Sequence, residues 1–183
     1  MKHFLLFLCI VIAHACSAQQ DSSIKRDNFF VTTELSKTLG ATTSDKKYGF
    51  SFVYNRLLAK TRFGLGAGLE LLDIRTKRLG GIMPALDLRY YVPLGRSTFI
   101  PFAQVGYNFY KFQYQKSGTA QAYEEKGGFG YTFGIGYSYN LTEKGSGVYS
   151  AFKYRGLQYK YNDPVLPKTM TSERLNLSIG WRF

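Results

Sequence analysis

From about residue 28 onward, large apolar or aromatic residues recur at every second position. The cleanest run is Phe129, Tyr131, Phe133, Ile135, Tyr137, Tyr139 and Leu141, alternating with Gly128, Gly130, Thr132, Gly134, Gly136, Ser138 and Asn140. Side chains of a strand point alternately to opposite faces, so this spacing predicts one greasy and one small, polar face. The same rhythm places Leu175, Leu177, Ile179, Trp181 and Phe183 opposite Arg174, Asn176, Ser178, Gly180 and Arg182. It sets Tyr48, Phe50, Phe52 and Tyr54 against Gly49, Ser51, Val53 and Asn55. A further segment sets Phe63, Leu65, Ala67, Leu69 and Leu71 against Gly64, Gly66, Gly68, Glu70 and Leu72.

Four weaker segments complete a count of eight predicted strands. They lie near 28–39 (Phe29, Val31, Thr33, Leu35), 81–91 (Ile82, Pro84, Leu86, Leu88, Tyr90), 99–112 (Ala103, Val105, Tyr107, Phe109) and 147–161. In the last, Val148, Phe152 and Tyr154 share one parity while Leu157, Tyr159 and Tyr161 share the other, which predicts a bulge near Arg155-Gly156. Links at 59–61, 93–97 and 142–146 are short and turn-rich, whereas those at 40–46, 75–80, 113–126 and 162–172 are mostly longer. Short turns at one end and longer loops at the other suit an all-β, eight-stranded antiparallel up-and-down transmembrane β-barrel.

The content of the two faces decides between lipid and water. A soluble barrel turns charged residues outward, but the polar face here is Gly, Thr, Ser and Asn, which suits a crowded, side-chain-filled interior. The opposite face is too bulky on every strand to fit within eight strands, and hydrocarbon accepts it. Closure follows, because an open sheet edge in lipid leaves backbone groups unpaired at several kcal/mol each. Tyr48, Tyr54, Tyr107, Phe109, Tyr137 and Tyr139 are placed to form interfacial girdles. A soluble periplasmic ligand-binding barrel, with the greasy face inward, is the alternative architecture.

Composition sharpens this picture. The 183 residues include 15 Tyr, 15 Phe and 1 Trp, and carry a formal charge of +12. Met1-Lys2-His3, the apolar run Phe4 to Ala13 and the small residues ending at Ala18 read as a cleaved signal peptide over 1–18. Lipidation at Cys16 is the alternative. Residues 19–27 form a short periplasmic lead, and 28–183 the barrel domain. Both histidines (His3, His14) and both cysteines (Cys9, Cys16) lie within the expected leader. Ser–His or Cys–His catalysis and zinc sites built from imidazole or thiolate are therefore absent from the expected mature chain. No cofactor, catalytic residue or metal site is expected, and the chain reads as non-enzymatic.

Ile179-Gly180-Trp181-Arg182-Phe183 ends in an aromatic with apolar residues at alternate positions before it; Arg89-Tyr90-Tyr91-Val92-Pro93 and Pro101-Phe102-Ala103 are further motifs. On these residues the chain resembles small outer-membrane β-barrel proteins of Gram-negative bacteria, most of all the PorT-like barrels. The resemblance implies outer-membrane localisation. It also implies that Leu175, Leu177, Ile179, Trp181 and Phe183 are a C-terminal signal for the barrel assembly machinery.

Charges on the predicted inward face are Glu34, Glu70, Asp87, Arg89, Arg174 and Arg182. An isolated buried charge is costly, so they are expected to form an ion network, Glu34 with Arg174 or Arg182 and Glu70 with Asp87 or Arg89. A proton path or a carboxylate pair, Glu70 with Asp87, is the functional alternative. Lys46, Lys47, Arg75, Lys77 and Arg78 cluster in two outer loops, where lipopolysaccharide presents phosphates. The aromatics lie on strand faces away from the bases, which argues against nucleic acid. The expected role is structural or interactive at the cell surface, with lipid, lipopolysaccharide or a protein at the outer loops as partner. An accessory role in a secretion or surface-assembly machine, or a narrow solute channel, are the alternatives.

Overall fold

The computed structural model describes residues 26–39, 46–59, 61–74, 80–115, 122–142, 145–162 and 169–183. The expected signal peptide and nearly all of the lead lie outside these residues, as do Arg75, Lys77 and Arg78. Ten strand segments are present: β1 (Asp27–Thr38), β2 (Lys46–Leu57), β3 (Phe63–Ile74), β4 (Gly81–Tyr90), β5 (Val92–Leu94), β6 (Ser97–Tyr107), β7 (Lys111–Gln115), β8 (Ala122–Asn140), β9 (Gly147–Tyr161) and β10 (Thr169–Arg182). β4 and β5 are one stave interrupted at Tyr91, and β6 and β7 another interrupted at 108–110, so the segments build eight staves.

Every pairing is antiparallel, and each stave pairs with its sequence neighbours. The ring closes where β1 meets β10, in register from Phe30↔Arg182 to Thr38↔Arg174. Beyond that ladder the Phe183 amide donates to the Phe29 carbonyl at 2.9 Å. A closed ring leaves no open edge across the hydrocarbon.

The period-two faces separate cleanly. Phe133, Leu86, Leu177 and Ile179 are more than half exposed on the outer wall, while Arg155, Glu70, Met83 and Ile100 on the inner wall are sealed to 0–1%. The aromatics expected as girdles are all exposed on the wall, Tyr54, Tyr137 and Tyr139 toward the short-turn end and Tyr48, Tyr107 and Phe109 toward the other. Small residues make room for bulky ones inside. A Cβ on Gly134 would stand 2.5 Å from the Phe102 ring, and one on Gly136 would stand 2.6 Å from the Tyr149 ring.

Two features differ from expectation. The bulge predicted near Arg155-Gly156 is not there: β9 pairs with β10 in unbroken register, and Tyr149, Ala151, Lys153, Arg155, Leu157 and Tyr159 all face inward. Leu157 and Tyr159 are greasy because they fill the lumen, not because they meet lipid. The bulge lies instead on β8, between Gly127 and Gly130. The segment 113–126, expected as a loop, is shortened because β7 pairs with β8 from Lys111↔Lys126 to Gln115↔Ala122. This hairpin carries the sheet beyond the break at 108–110.

Candidate functional site: the filled lumen and its mouths

Inward side chains stack in layers along the barrel axis. Nearest the short-turn end, Arg182 donates to Asn28 (2.9 Å) and Thr98 (3.2 Å), and its guanidinium lies 5.8 Å from the Tyr91 ring. Above it Phe30, Val53, Tyr91, Ile100, Phe102, Tyr149 and Ala151 form an apolar layer. Phe30 and Tyr149 meet edge-on at 4.9 Å.

Arg89 and Asp87 sit on this layer. Two residues apart on β4, they share the inner face, and Arg89 Nε donates to Asp87 Oδ1 at 2.7 Å. Asn55 (2.7 Å) and Gln104 (2.8 Å) also donate to Asp87, and the Tyr91 hydroxyl holds Asn55 at 2.9 Å. The Arg89 guanidinium caps Phe30 at 3.9 Å. Three donors compensate the buried carboxylate and the ring faces the cation, which is what makes such burial tolerable.

The central knot joins staves that are not neighbours. Arg155 of β9 reaches Glu34 of β1 at 3.0 Å and Glu70 of β3 at 2.6 Å, and Lys153 also pairs with Glu34. Arg155 Nε donates to Thr132 at 3.2 Å. Above the knot a second apolar layer follows, made of Leu72, Met83, Ala85, Leu157 and Tyr159. At the far mouth Arg174 pairs with Asp73 at 2.5 Å and donates to the Tyr159 hydroxyl at 2.9 Å, while Lys47 approaches Asp73 at 3.5 Å.

The six charges predicted to face inward are all buried in the lumen. Only Asp87 and Arg89 pair among themselves in an ion pair. Glu34 engages Lys153 and Arg155 rather than Arg174 or Arg182, and Glu70 engages Arg155 rather than Arg89. Side chains this long reach across a narrow lumen, so stave adjacency does not choose the partner. Lys153 and Arg155 were missed, although their alternation with Phe152 and Tyr154 is a signal for the inner face. Asp73 was also missed. Leu72 and Asp73 together oppose Gly49 in a bulge, Asp73 has φ 53°, and both side chains turn inward where a regular strand would send one out. Glu70 and Asp87 belong to separate clusters, each with its own cation.

Of the residues expected to contact lipopolysaccharide, Lys47 faces the lumen mouth and pairs with Asp73. Lys46 opens β2, and its side chain lies outside the described structure, as do Arg75, Lys77 and Arg78. The predicted C-terminal signal residues alternate on the outer wall of β10: Leu177, Ile179 and Phe183 are exposed, Leu175 and Trp181 partly so. The Phe183 ring lies 6.4 Å from both Phe29 and Trp181.

A closed ring of antiparallel staves, with an apolar and aromatic outer wall and its ion pairs buried within, defines an integral β-barrel membrane protein. The chain belongs to the family described as outer membrane protein beta-barrel domain, which it matches over residues 7–183. Its location is the bacterial outer membrane. The match is to the general barrel domain and does not reach the PorT-like subdivision. Among solved structures the chain is similar to Neisserial surface protein A (NspA), at 12% identity and TM-score 0.61, covering 86% of this chain and 96% of that one. It also matches the N-terminal β-barrel domain of Pseudomonas aeruginosa OprF (12% identity, TM-score 0.49, 87% and 98% covered). A third is outer membrane protein AlkL (11% identity, TM-score 0.49, 91% and 93% covered). No curated protein matches the chain. The short-turn end is accordingly periplasmic and the loop end external.

Proposed function

We propose that this protein is a non-conducting, non-enzymatic barrel with a structural or interactive role at the cell surface. One observation carries the reading: the lumen is filled from mouth to mouth. Ile100, Tyr91, Glu70, Arg155, Met83 and Leu157 lie at successive inner levels and are each buried to within 1%. The lumen carboxylates Glu34, Glu70, Asp87 and Asp73 each face a cation, and His and Cys occur only within the first sixteen positions. What remains accessible among the described residues is the outer wall and the mouths.

Under this reading the partners are the outer-leaflet lipid, including lipopolysaccharide, the assembly machinery that recognises the end of β10, and a protein meeting the outer loops. The accessory secretion role rests on the PorT-like resemblance alone and comes second. Conductance across a planar bilayer tests the proposal. Purified, gel-shifting barrel should produce no unitary steps, whereas reproducible steps of defined size would make the channel reading correct.

A further inference from the structure

Among the described residues, the strand register sets like charges side by side at the external end of the wall. Lys126 of β8 stands directly opposite Lys160 of β9. On the far side of β10, Lys37 of β1 lies at the same end of the barrel. Directly opposed residues share a face, with Cβ atoms about 5 Å apart, and like charges there repel. Lys37, Lys126 and Lys160 are exposed on the outer wall. Glu124 answers one of these charges, pairing with Lys126 at 2.8 Å. Glu173, exposed on β10, is hydrogen-bonded by the Tyr154 hydroxyl. On the opposite arc the described residues at this end include Ile82, Pro84 and Phe109, all exposed.

Position adds a second, independent constraint. Immediately inward along the wall from these lysines come aromatics: Phe129 beyond Lys126 on β8, and the Tyr131–Tyr154 pair at 6.3 Å across β8 and β9. Aromatic side chains settle at the boundary of the hydrocarbon, so cations just beyond them lie at headgroup height. A dianionic group seated between opposed lysines turns their repulsion into attraction, and basic side chains at that height favour anionic lipid.

We propose that the arc from β8 through β10 to β1, centred on Lys126 and Lys160 with Lys37 beyond, is a binding surface for the phosphates of an outer-leaflet lipid headgroup. It rests on the surface-interaction reading above and assigns that reading a ligand class and a wall. It differs from the loop cluster inferred from sequence, since Lys37, Lys126 and Lys160 belong to strands.

The test uses the full mature barrel in detergent micelles with bisphosphorylated lipid A as the probe, read by native mass spectrometry. Wild type should bind it, and Lys126→Gln/Lys160→Gln should bind about thirtyfold more weakly, from the usual attraction of two lysines to an anionic surface. Arg96→Gln, at an exposed periplasmic turn, should bind as wild type does. Heat-dependent gel mobility identifies barrels that are closed in every sample. Equal binding by the double variant, or equal loss in Arg96→Gln, overturns the assignment. Displacement of the lipid by inorganic pyrophosphate alone would make this a general anion surface and also overturn it. Conductance is independent of all these outcomes, so an open pore would refute the filled-lumen reading without touching this one.

Discussion

Replacing Arg155 by methionine removes the cation that binds Glu34 and Glu70 at 3.0 and 2.6 Å while keeping most of the side-chain volume. The two carboxylates do not suffer equally. Glu34 retains Lys153, whereas Glu70 is fully buried and loses its ion-pair partner. Breaking a buried pair on one side destabilises by about 3–5 kcal/mol, because the surviving charge is desolvated without compensation. Neutralising that charge as well, in Arg155→Met/Glu70→Gln, removes the penalty, so the double variant should regain roughly 2 kcal/mol of the loss. Urea-dependent folding into lipid vesicles measures this. The emission of Trp181, the single tryptophan, reports insertion, and gel mobility before and after boiling reports closure. An Arg155→Met barrel as stable as wild type would refute the claim that this knot compensates buried charge. Strictly additive losses in the double variant would refute the pairing of Arg155 with Glu70.

The remaining predictions concern the wall and the seam. Phe133→Arg places a cation on the lipid face near mid-stave and should cost about 2–4 kcal/mol in the same assay. The neighbouring inward substitution Thr132→Ser keeps the hydroxyl that accepts from Arg155 and should be mild; equal tolerance would invert the assignment of faces. Deleting Phe183 removes both backbone hydrogen bonds to Phe29 along with the terminal aromatic. It should lower barrel levels in outer-membrane fractions well beyond what one exposed ring explains, and unchanged levels would count against an assembly signal.

The faces of the staves were legible in the sequence because a period of two leaves one parity for lipid. That logic weakens where the lumen is itself apolar. Leu157 and Tyr159 look like wall residues by composition, yet they line the second inner layer, and reading them as wall produced a bulge that β9 does not have. Applied strictly, the same parity puts Lys153 and Arg155 inside, and it turns Lys47 inward as well, away from external phosphates. Asp73 was beyond reach of any alternation rule, because a bulge breaks alternation at the place where it matters. Pairing inside the lumen was the least legible part. It depends on stagger and on side-chain reach across the barrel, and neither leaves a mark in the order of residues.

The knot at Arg155 also bears on the order in which the barrel is made. Hairpin pairings join sequence neighbours and can form one after another, but the knot draws on β1, β3 and β9 at once. A partly wound sheet of the first six staves would already carry Glu34 and Glu70 on the concave side with no Lys153 or Arg155 to meet them. Release of such a sheet into lipid is penalised until the seventh stave arrives. The seventh stave is the first to bring a cation to both carboxylates, so the interior charges are balanced only once nearly the whole barrel is wound.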